Sequence, residues 1–262
     1  MTTQENQNGY TFIFRGNHIL VADTNELILP DADAGQKCLE YQLASDWFSE
    51  PDYQYTALLL EDSAPEPAGY VWAPLRALFA EQHPASACAS RALGLLNWRT
   101  KARFCSKCGG PLHDDPAETA RTCILCGRTY FPSLSPAMIV LVSKDDKILL
   151  ARHKQRNTDI FTCLAGYVEH GENLEQCVAR EVREEAGIEI ANITYVASQS
   201  WPFPDQLMLA FTADWKSGEL VPEASEIQEL CWFSRDKLPS IPKKGSVAYK
   251  LIMNEFKNAP LF

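Results

Sequence analysis

The stretch GYVEHGENLEQCVAREVREEAGI, Gly166 to Ile188, decides the reading of this chain. It reads as the end of a strand, a loop and then a helix beginning near Asn173. Asparagine is a good helix N-cap, and Gln176 stands where its capping-box partner belongs. Gly187 fits the C-terminal stop. At about 100° per residue, Leu174, Cys177, Val178 and Val182 mark out an apolar face. Glu181 and Glu185 fall in the middle of that face, Glu184 at its edge, and Arg180 beside Glu184 on the flank. A solvated acidic helix would turn these carboxylates outward. Here they interrupt the face that must pack, and an unpaired buried carboxylate is costly and tends to take up a proton. Several carboxylates converging at this spacing suit a hard divalent cation such as Mg²⁺ or Mn²⁺. Such a site can grip a pyrophosphate and activate water.

A second constellation lies upstream. Cys105, Cys108, Cys123 and Cys126 have the spacing C-x2-C-x14-C-x2-C. Two knuckles of this kind close a tetrahedral thiolate site around zinc. Gly109 and Gly127 follow the second cysteine of each pair, where a tight turn favours glycine. Four thiolates leave no open position, so the zinc is expected to be structural, with a redox dithiol or a chance pairing as the alternatives. His113 is a stray candidate ligand. The other cysteines (Cys38, Cys88, Cys163, Cys177, Cys231) read as free thiols in apolar settings, as a reducing cytoplasm allows.

The remaining chain gives an outline. Its 262 residues, 46% hydrophobic and 22% charged, fit a globular protein with a real core. A net charge of −10 argues against broad non-specific nucleic-acid binding, though a bound cation can reverse the local sign. The opening MTTQENQNGYTFIF has no secretory pattern, no stretch reaches transmembrane length, and the final NAPLF matches no address signal. Three regions are expected. Residues 1–100 form an α+β domain, with strands in TFIFRG and YTALLLED, a loop in EDSAPEPAG and a helix in SACASRALGLLNWR. Residues 101–132 hold the cysteine pairs. Residues 133–262 alternate strands (AMIVLVS, KILLARH, ITYVASQSWPFP, LMLAFTADW, CWFS) with helices, including one over SVAYKLIMNEFKN. The basic run ARHKQRN, Ala151 to Asn157, reads as a solvated strand end rather than a phosphate contact.

The opening stretch resembles the Nudix box, G-x5-E-x7-R-E-U-x-E-E-x-G-U, where U is a bulky apolar residue. Gly166, Glu172, Arg180, Glu181, Val182, Glu184, Glu185, Gly187 and Ile188 fill its fixed positions. The resemblance implies an α/β/α sandwich around a mixed sheet and hydrolysis of a nucleoside diphosphate linked to another moiety. It implies Glu181, Glu185 and the carbonyl of Ala165 as metal ligands, Glu184 as ligand or base, Glu172 as an outer partner of the metal site, and Arg180 as the group that orients a glutamate.

Downstream, SQSWPFPDQ, Ser198 to Gln206, is similar to the S-Q-P-W-P-F-P-x-S array of the NADH pyrophosphatase subfamily. That subfamily has the same order of N-terminal domain, zinc ribbon, box and array. In the array, Pro202 and Pro204 stiffen the loop, Trp201 and Phe203 offer aromatic surface, and Gln199 and Gln206 offer hydrogen bonds. Ser200 and Asp205 complete the expected substrate loop. Ser200 stands where the subfamily has proline and Gln206 where it has serine, which puts strict preference for NADH in doubt. The resemblance further implies a nicotinamide slot between Phe131 and Tyr167, a late metal ligand at Glu226 and a substrate contact at the backbone of Ala248. No convincing arginine stands at the subfamily's N-terminal contact position, where Trp72 falls.

The expected reaction is metal-assisted hydrolysis of NADH or NAD⁺ to NMNH or NMN plus AMP. The rivals are the same chemistry on NAD-capped RNA, another substrate such as ADP-ribose, and a catalytically dead zinc-ribbon binding protein. The resemblance implies a homodimer; the cysteines and the lack of a long apolar stretch lead us to expect a cytoplasmic protein without membrane attachment.

Overall fold

The structure, a computed structural model, describes residues 9–154 and 159–257. The readings made on residues 1–8, on residues 155–157 of the basic run and on NAPLF lie outside the described residues. The chain divides into two units. The first runs up to Leu134 and includes Pro202–Asp205; the second comprises Ser135–Trp201 and the chain from Gln206 onward.

In the first unit, β1 (Tyr10–Arg15), β2 (His18–Ala22), β3 (Ala44–Glu50), β4 (Tyr55–Leu60) and β5 (Tyr70–Pro74) form a sheet in the order β3-β4-β1-β2-β5. β1 and β4 run parallel, and the other pairs are antiparallel. The alternation of β1 explains its burial on both faces. Phe12 and Phe14 enter one core with Ile19, Leu93 and Leu96, while Ile13 enters another with Leu20, Cys38 and Leu58. Helix α1 (Ala32–Glu40) supplies Cys38, α2 (Arg76–Ala80) supplies Leu78, and α3 (Ser86–Lys101) supplies Ala89, Ala92, Leu93 and Leu96 at helical spacing. After α3 come β6 (Leu112–Asp114), β7 (Arg121–Cys123) and β8 (Thr129–Tyr130), a small antiparallel sheet between and around the cysteine pairs.

The second unit is built on β9 (Ser135–Lys144). Its residues alternate between two cores, with Met138, Val140 and Val142 on one side and Ala137, Ile139 and Leu141 on the other. Burial on both faces explains why it reads as an unbroken apolar run. β10 (Lys147–His153), β11 (Leu164–Tyr167), β12 (Glu189–Trp201), β13 (Gln206–Ser217) and β14 (Ile227–Ser234) complete a mixed sheet in the order β12-β13-β9-β10-β14, with β11 paired to β9. β13 is the parallel neighbour of β9. Helix α4 (Leu174–Ala186) packs on the first face through Cys177, Val178, Val182 and Ala186, and α5 (Val247–Ile252) covers the second through Val247, Ala248, Leu251 and Ile252. This is the expected sandwich of helices about a mixed sheet.

One element differs from the sequence reading. The helix expected through SVAYKLIMNEFKN ends at Ile252 and is followed by a separate 3₁₀ turn at Glu255–Lys257. Asn254 between them has φ 57°, a left-handed conformation that an α-helix cannot contain.

Candidate active site

The box follows strand β11. Antiparallel pairing sets Ala165 opposite Ile139 and Gly166 opposite Met138. The chain then loops to Asn173, whose Oδ1 accepts from the Gln176 N–H at 2.8 Å while Gln176 Oε1 accepts from the Asn173 N–H at 2.9 Å. This closes the capping box. At the far end Gly187 takes φ 72°, and its N–H bonds to the carbonyl of Arg183.

Gly166 is required for a different reason. A Cβ added there would lie 1.9 Å from Glu181 Cδ and 2.0 Å from Glu181 Oε1. The Glu181 carboxyl therefore occupies the space that any other residue would fill. Glu185, one turn on, is only 4% exposed. Glu184 is far more open, with 56% of its side chain accessible.

Arg180 ties the glutamates together. Its Nη1 donates to Glu181 at 2.9 Å and to Glu184 at 3.0 Å. Nε and Nη2 grip Glu172 in a two-pronged pair at 3.0 and 2.7 Å, and Nη2 also donates to the Tyr167 carbonyl at 3.0 Å. Arg180, helped by the Glu169 N–H, holds the Glu172 carboxyl down to about 2. Glu181 is pushed the other way. Burial raises it, Arg180 opposes the rise, and the charges of Glu184 and Glu226 add to it.

Glu226 reaches this neighbourhood on an exposed loop fastened to the end of α4. The Glu223 N–H donates to the Glu185 carbonyl at 3.1 Å, and the Val221 N–H to the Ala186 carbonyl at 2.9 Å. Glu223 Oε2 then accepts from the Ser225 N–H, the Ser225 hydroxyl and the Glu226 N–H, at 2.8, 2.7 and 2.8 Å. Lys154 secures the loop from β10, its N–H to the Glu226 carbonyl at 2.8 Å and its Nζ to the Ala224 carbonyl. Sequence reasoning missed Glu223 and treated Lys154 as solvated. The signal was an acidic side chain just ahead of a Ser in a strand-to-strand turn, where it can cap the following N–H groups.

The donor set fits a divalent cation. It consists of hard oxygens, one buried and one in a backbone cradle, with Arg180 paired to Glu181 and Glu184. The carboxylates are not drawn into one tight knot. Among the described residues, the four cysteines alone form a group of three or more such side chains with ligand atoms all within 4.8 Å.

Those cysteines sit in the first unit. Cys105 Sγ lies 3.7 Å from Cys126 Sγ, and Cys108 Sγ 3.5 Å from Cys123 Sγ. The edge of a tetrahedron with zinc–sulfur bonds of about 2.3 Å is about 3.8 Å. The Tyr130 hydroxyl, 3.2 Å from Cys105 Sγ, pulls that thiol down to about 6. His113 is exposed on β6 and is not part of the group.

The substrate residues expected from the array fall in both units. In the second, Trp201 packs against the α5 side of the sheet and Ala248 is buried on α5. Gln199 also has a structural use. Its Nε2 donates to the Gly245 carbonyl at 2.9 Å and its Oε1 accepts from the Val247 N–H at 2.7 Å, which seats the start of α5. Ser200 pairs with Leu207 in the β12–β13 ladder, and Gln206 donates from Nε2 to the Tyr167 hydroxyl at 2.5 Å. Tyr167 is exposed.

In the first unit, Phe203 packs on the core beneath β1, the Pro204 carbonyl accepts from Asn97, and Asp205 pairs with Lys101 at 3.1 Å. Pro202 is buried and Phe131 is exposed. No arginine was expected to face Trp72 or the array, and two lie over aromatic rings of this unit. Arg15 covers Trp72, while the Arg76 guanidinium lies 4.7 Å over the Phe203 ring. Spacing alone could not pair Arg76 with a residue so distant in sequence.

Comparison with known proteins agrees with this architecture. Residues 133–254 match the NUDIX domain, and residues 101–131 match the NADH pyrophosphatase zinc ribbon domain. The NAD-capped RNA hydrolase NudC of Pseudomonas aeruginosa (strain LESB58) is 43% identical over 209 residues, 79% of this chain and 73% of that protein. The protein of the same name from Stutzerimonas stutzeri (strain A1501) is 50% identical over 155 residues, 59% of this chain and 56% of that one. Box, fold and ribbon together define a hydrolase class. The chain belongs to the Nudix hydrolase family, in the branch that carries the NADH pyrophosphatase zinc ribbon. Among the described residues no helix is long and apolar enough to cross a membrane.

Proposed function

We propose that the protein hydrolyses the pyrophosphate bond of NADH and NAD⁺, giving NMNH or NMN and AMP, and removes NAD caps from RNA 5′ ends by the same chemistry. The observation that carries this reading is the seating of the Glu181 carboxyl in the Gly166 cradle beside buried Glu185, on a helix face that packing alone would fill with apolar groups. The ribbon and the naming of the relatives as NAD-capped RNA hydrolases support the choice of substrate.

Glu181, Glu185, Glu226 and the Ala165 carbonyl are the groups that would hold Mg²⁺ or Mn²⁺, which supplies charge neutralisation at the phosphates and a more acidic water. Glu184, open to solvent, takes the proton from the attacking water. Arg180 fixes the direction of Glu181, and Glu172 fixes Arg180. Tyr167 and Phe131 offer ring faces to the nicotinamide. Gln199, Ser200, Trp201, Pro202, Phe203, Pro204, Asp205 and Gln206 shape the substrate loop, and the Ala248 backbone contacts substrate. The four cysteines hold a structural zinc. The working form is a cytoplasmic homodimer with domains over 1–100, 101–132 and 133–262.

The test is product analysis by liquid chromatography. NADH, NAD⁺, NAD-capped RNA and ADP-ribose are each incubated with the protein and Mn²⁺, beside the Glu185→Gln variant. NMNH plus AMP from NADH is expected, with turnover by Glu185→Gln lower by about a hundredfold or more at unchanged melting temperature. Equal activity of the variant would refute the site. Turnover of ADP-ribose alone would keep the site and move the substrate, with the departures at Ser200 and Gln206 as the cause.

A further inference from the structure

Tyr167 is the last residue of β11 and directly follows the Gly166 cradle. The residue is half exposed, at 50%, and offers an aromatic side chain one residue away from the carboxylate site. Its backbone is fixed. The carbonyl accepts from Arg180 Nη2 at 3.0 Å and from Cys177 Sγ at 3.4 Å. An exposed tyrosine ring held only at its backbone would still sample several rotamers. Here the far end is held as well, since Gln206 Nε2 donates to the hydroxyl at 2.5 Å.

Sheet topology makes this contact. β9 lies between β11 and β13, with Tyr167 opposite Ala137 on one edge and Gln206 opposite Ser135 on the other. The side chains thus reach toward each other across the start of β9. An amide of glutamine length spans that gap.

We propose that Gln206 is a positioning residue that locks the Tyr167 ring, rather than a group that touches substrate, and that this lock sets the affinity for substrates carrying a planar ring on the pyrophosphate. The proposal rests on the reading of Tyr167 as a substrate-facing ring. A ring already fixed loses less freedom when a substrate stacks on it. The lock acts on binding before and during the chemical step alike, so it changes KM and leaves kcat.

Four variants test it on the whole chain with NADH and Mn²⁺: Tyr167→Ala, Tyr167→Phe, Gln206→Met and the Tyr167→Phe/Gln206→Met double. Tyr167→Phe keeps the ring and removes the hydroxyl; Gln206→Met keeps the length and removes the donor. Each of these two is expected to raise KM by about three- to tenfold with kcat nearly constant. The double variant is expected to be no worse than either single one, because both break the same bond. Tyr167→Ala is expected to raise KM further.

The failures are separable. If Tyr167→Ala raises KM while Tyr167→Phe and Gln206→Met do not, the lock is overturned and the ring reading stands. If the two single effects multiply in the double variant, Gln206 touches substrate itself and the proposal falls. A loss in kcat at constant KM also overturns it. An unchanged KM in Tyr167→Ala removes the ring reading and the lock with it, and absence of NADH hydrolysis by the unaltered protein removes both together with the proposed function.

Discussion

A single methyl group at position 166 separates stability from activity. The atom it would meet is the far end of the Glu181 side chain, which can swing away at little cost to the fold. Gly166→Ala is therefore expected to keep its melting temperature within a degree or two, since the change in stability stays near about 0.5 kcal/mol. Activity is expected to fall by at least about tenfold, because the displaced carboxylate leaves its productive position. Thermal unfolding and initial rates on one preparation check both halves. A variant that unfolds early would show that the cradle serves packing instead. The glycine itself was legible in the sequence, because the box demands it. Its physical cause was not, because a close approach between a strand and the next helix is a tertiary contact. The same holds for Arg76 over Phe203, a pairing that no local period sets.

Helix α4 was the most legible element. Its start, stop and buried stripe follow from Asn173, Gln176, Gly187 and the apolar spacing, all local signals. Asn173→Ala removes one side of the capping box and is expected to destabilise the protein by about 0.5–2 kcal/mol in denaturant titration. Asn173→Ser, which can still accept from the Gln176 N–H, is expected to recover most of this loss. Equal losses in the two variants would place the role of Asn173 outside the cap. β9 was legible as a strand from its unbroken apolar run, yet nothing in that run says which neighbours flank it. Its parallel pairing with β13 joins Ser135 to Gln206 and Ser143 to Asp214, a match fixed by the whole second unit. The C-terminal helix was overextended in the sequence reading because Val247, Leu251, Ile252 and Phe256 keep helical spacing across the turn at Asn254.

At the scale of the molecule, the ribbon depends on its metal more than the rest of the chain does. Its own core is Cys105, Leu112 and Cys123, with Ala102 and Tyr130 at the margin. So small a core does not hold three short strands by apolar burial alone. Stripping zinc with a chelator is expected to open residues 101–131 to protease while the sheet of the second unit keeps its circular dichroism. Resistance of that segment after zinc loss, verified by metal analysis, would contradict this. The cysteine spacing foretold the cluster, and the Tyr130 hydroxyl beside Cys105 was beyond reach of spacing.

The membership of Pro202–Asp205 in the first unit bears on how the chain is made. Phe203, which packs on the core beneath β1, leaves the ribosome only after β9, β10, β11, α4 and β12 have all been synthesised. Vectorial synthesis normally lets an N-terminal unit finish first. Here the N-terminal unit waits for a segment encoded inside its successor, so the order of synthesis is not the order of completion.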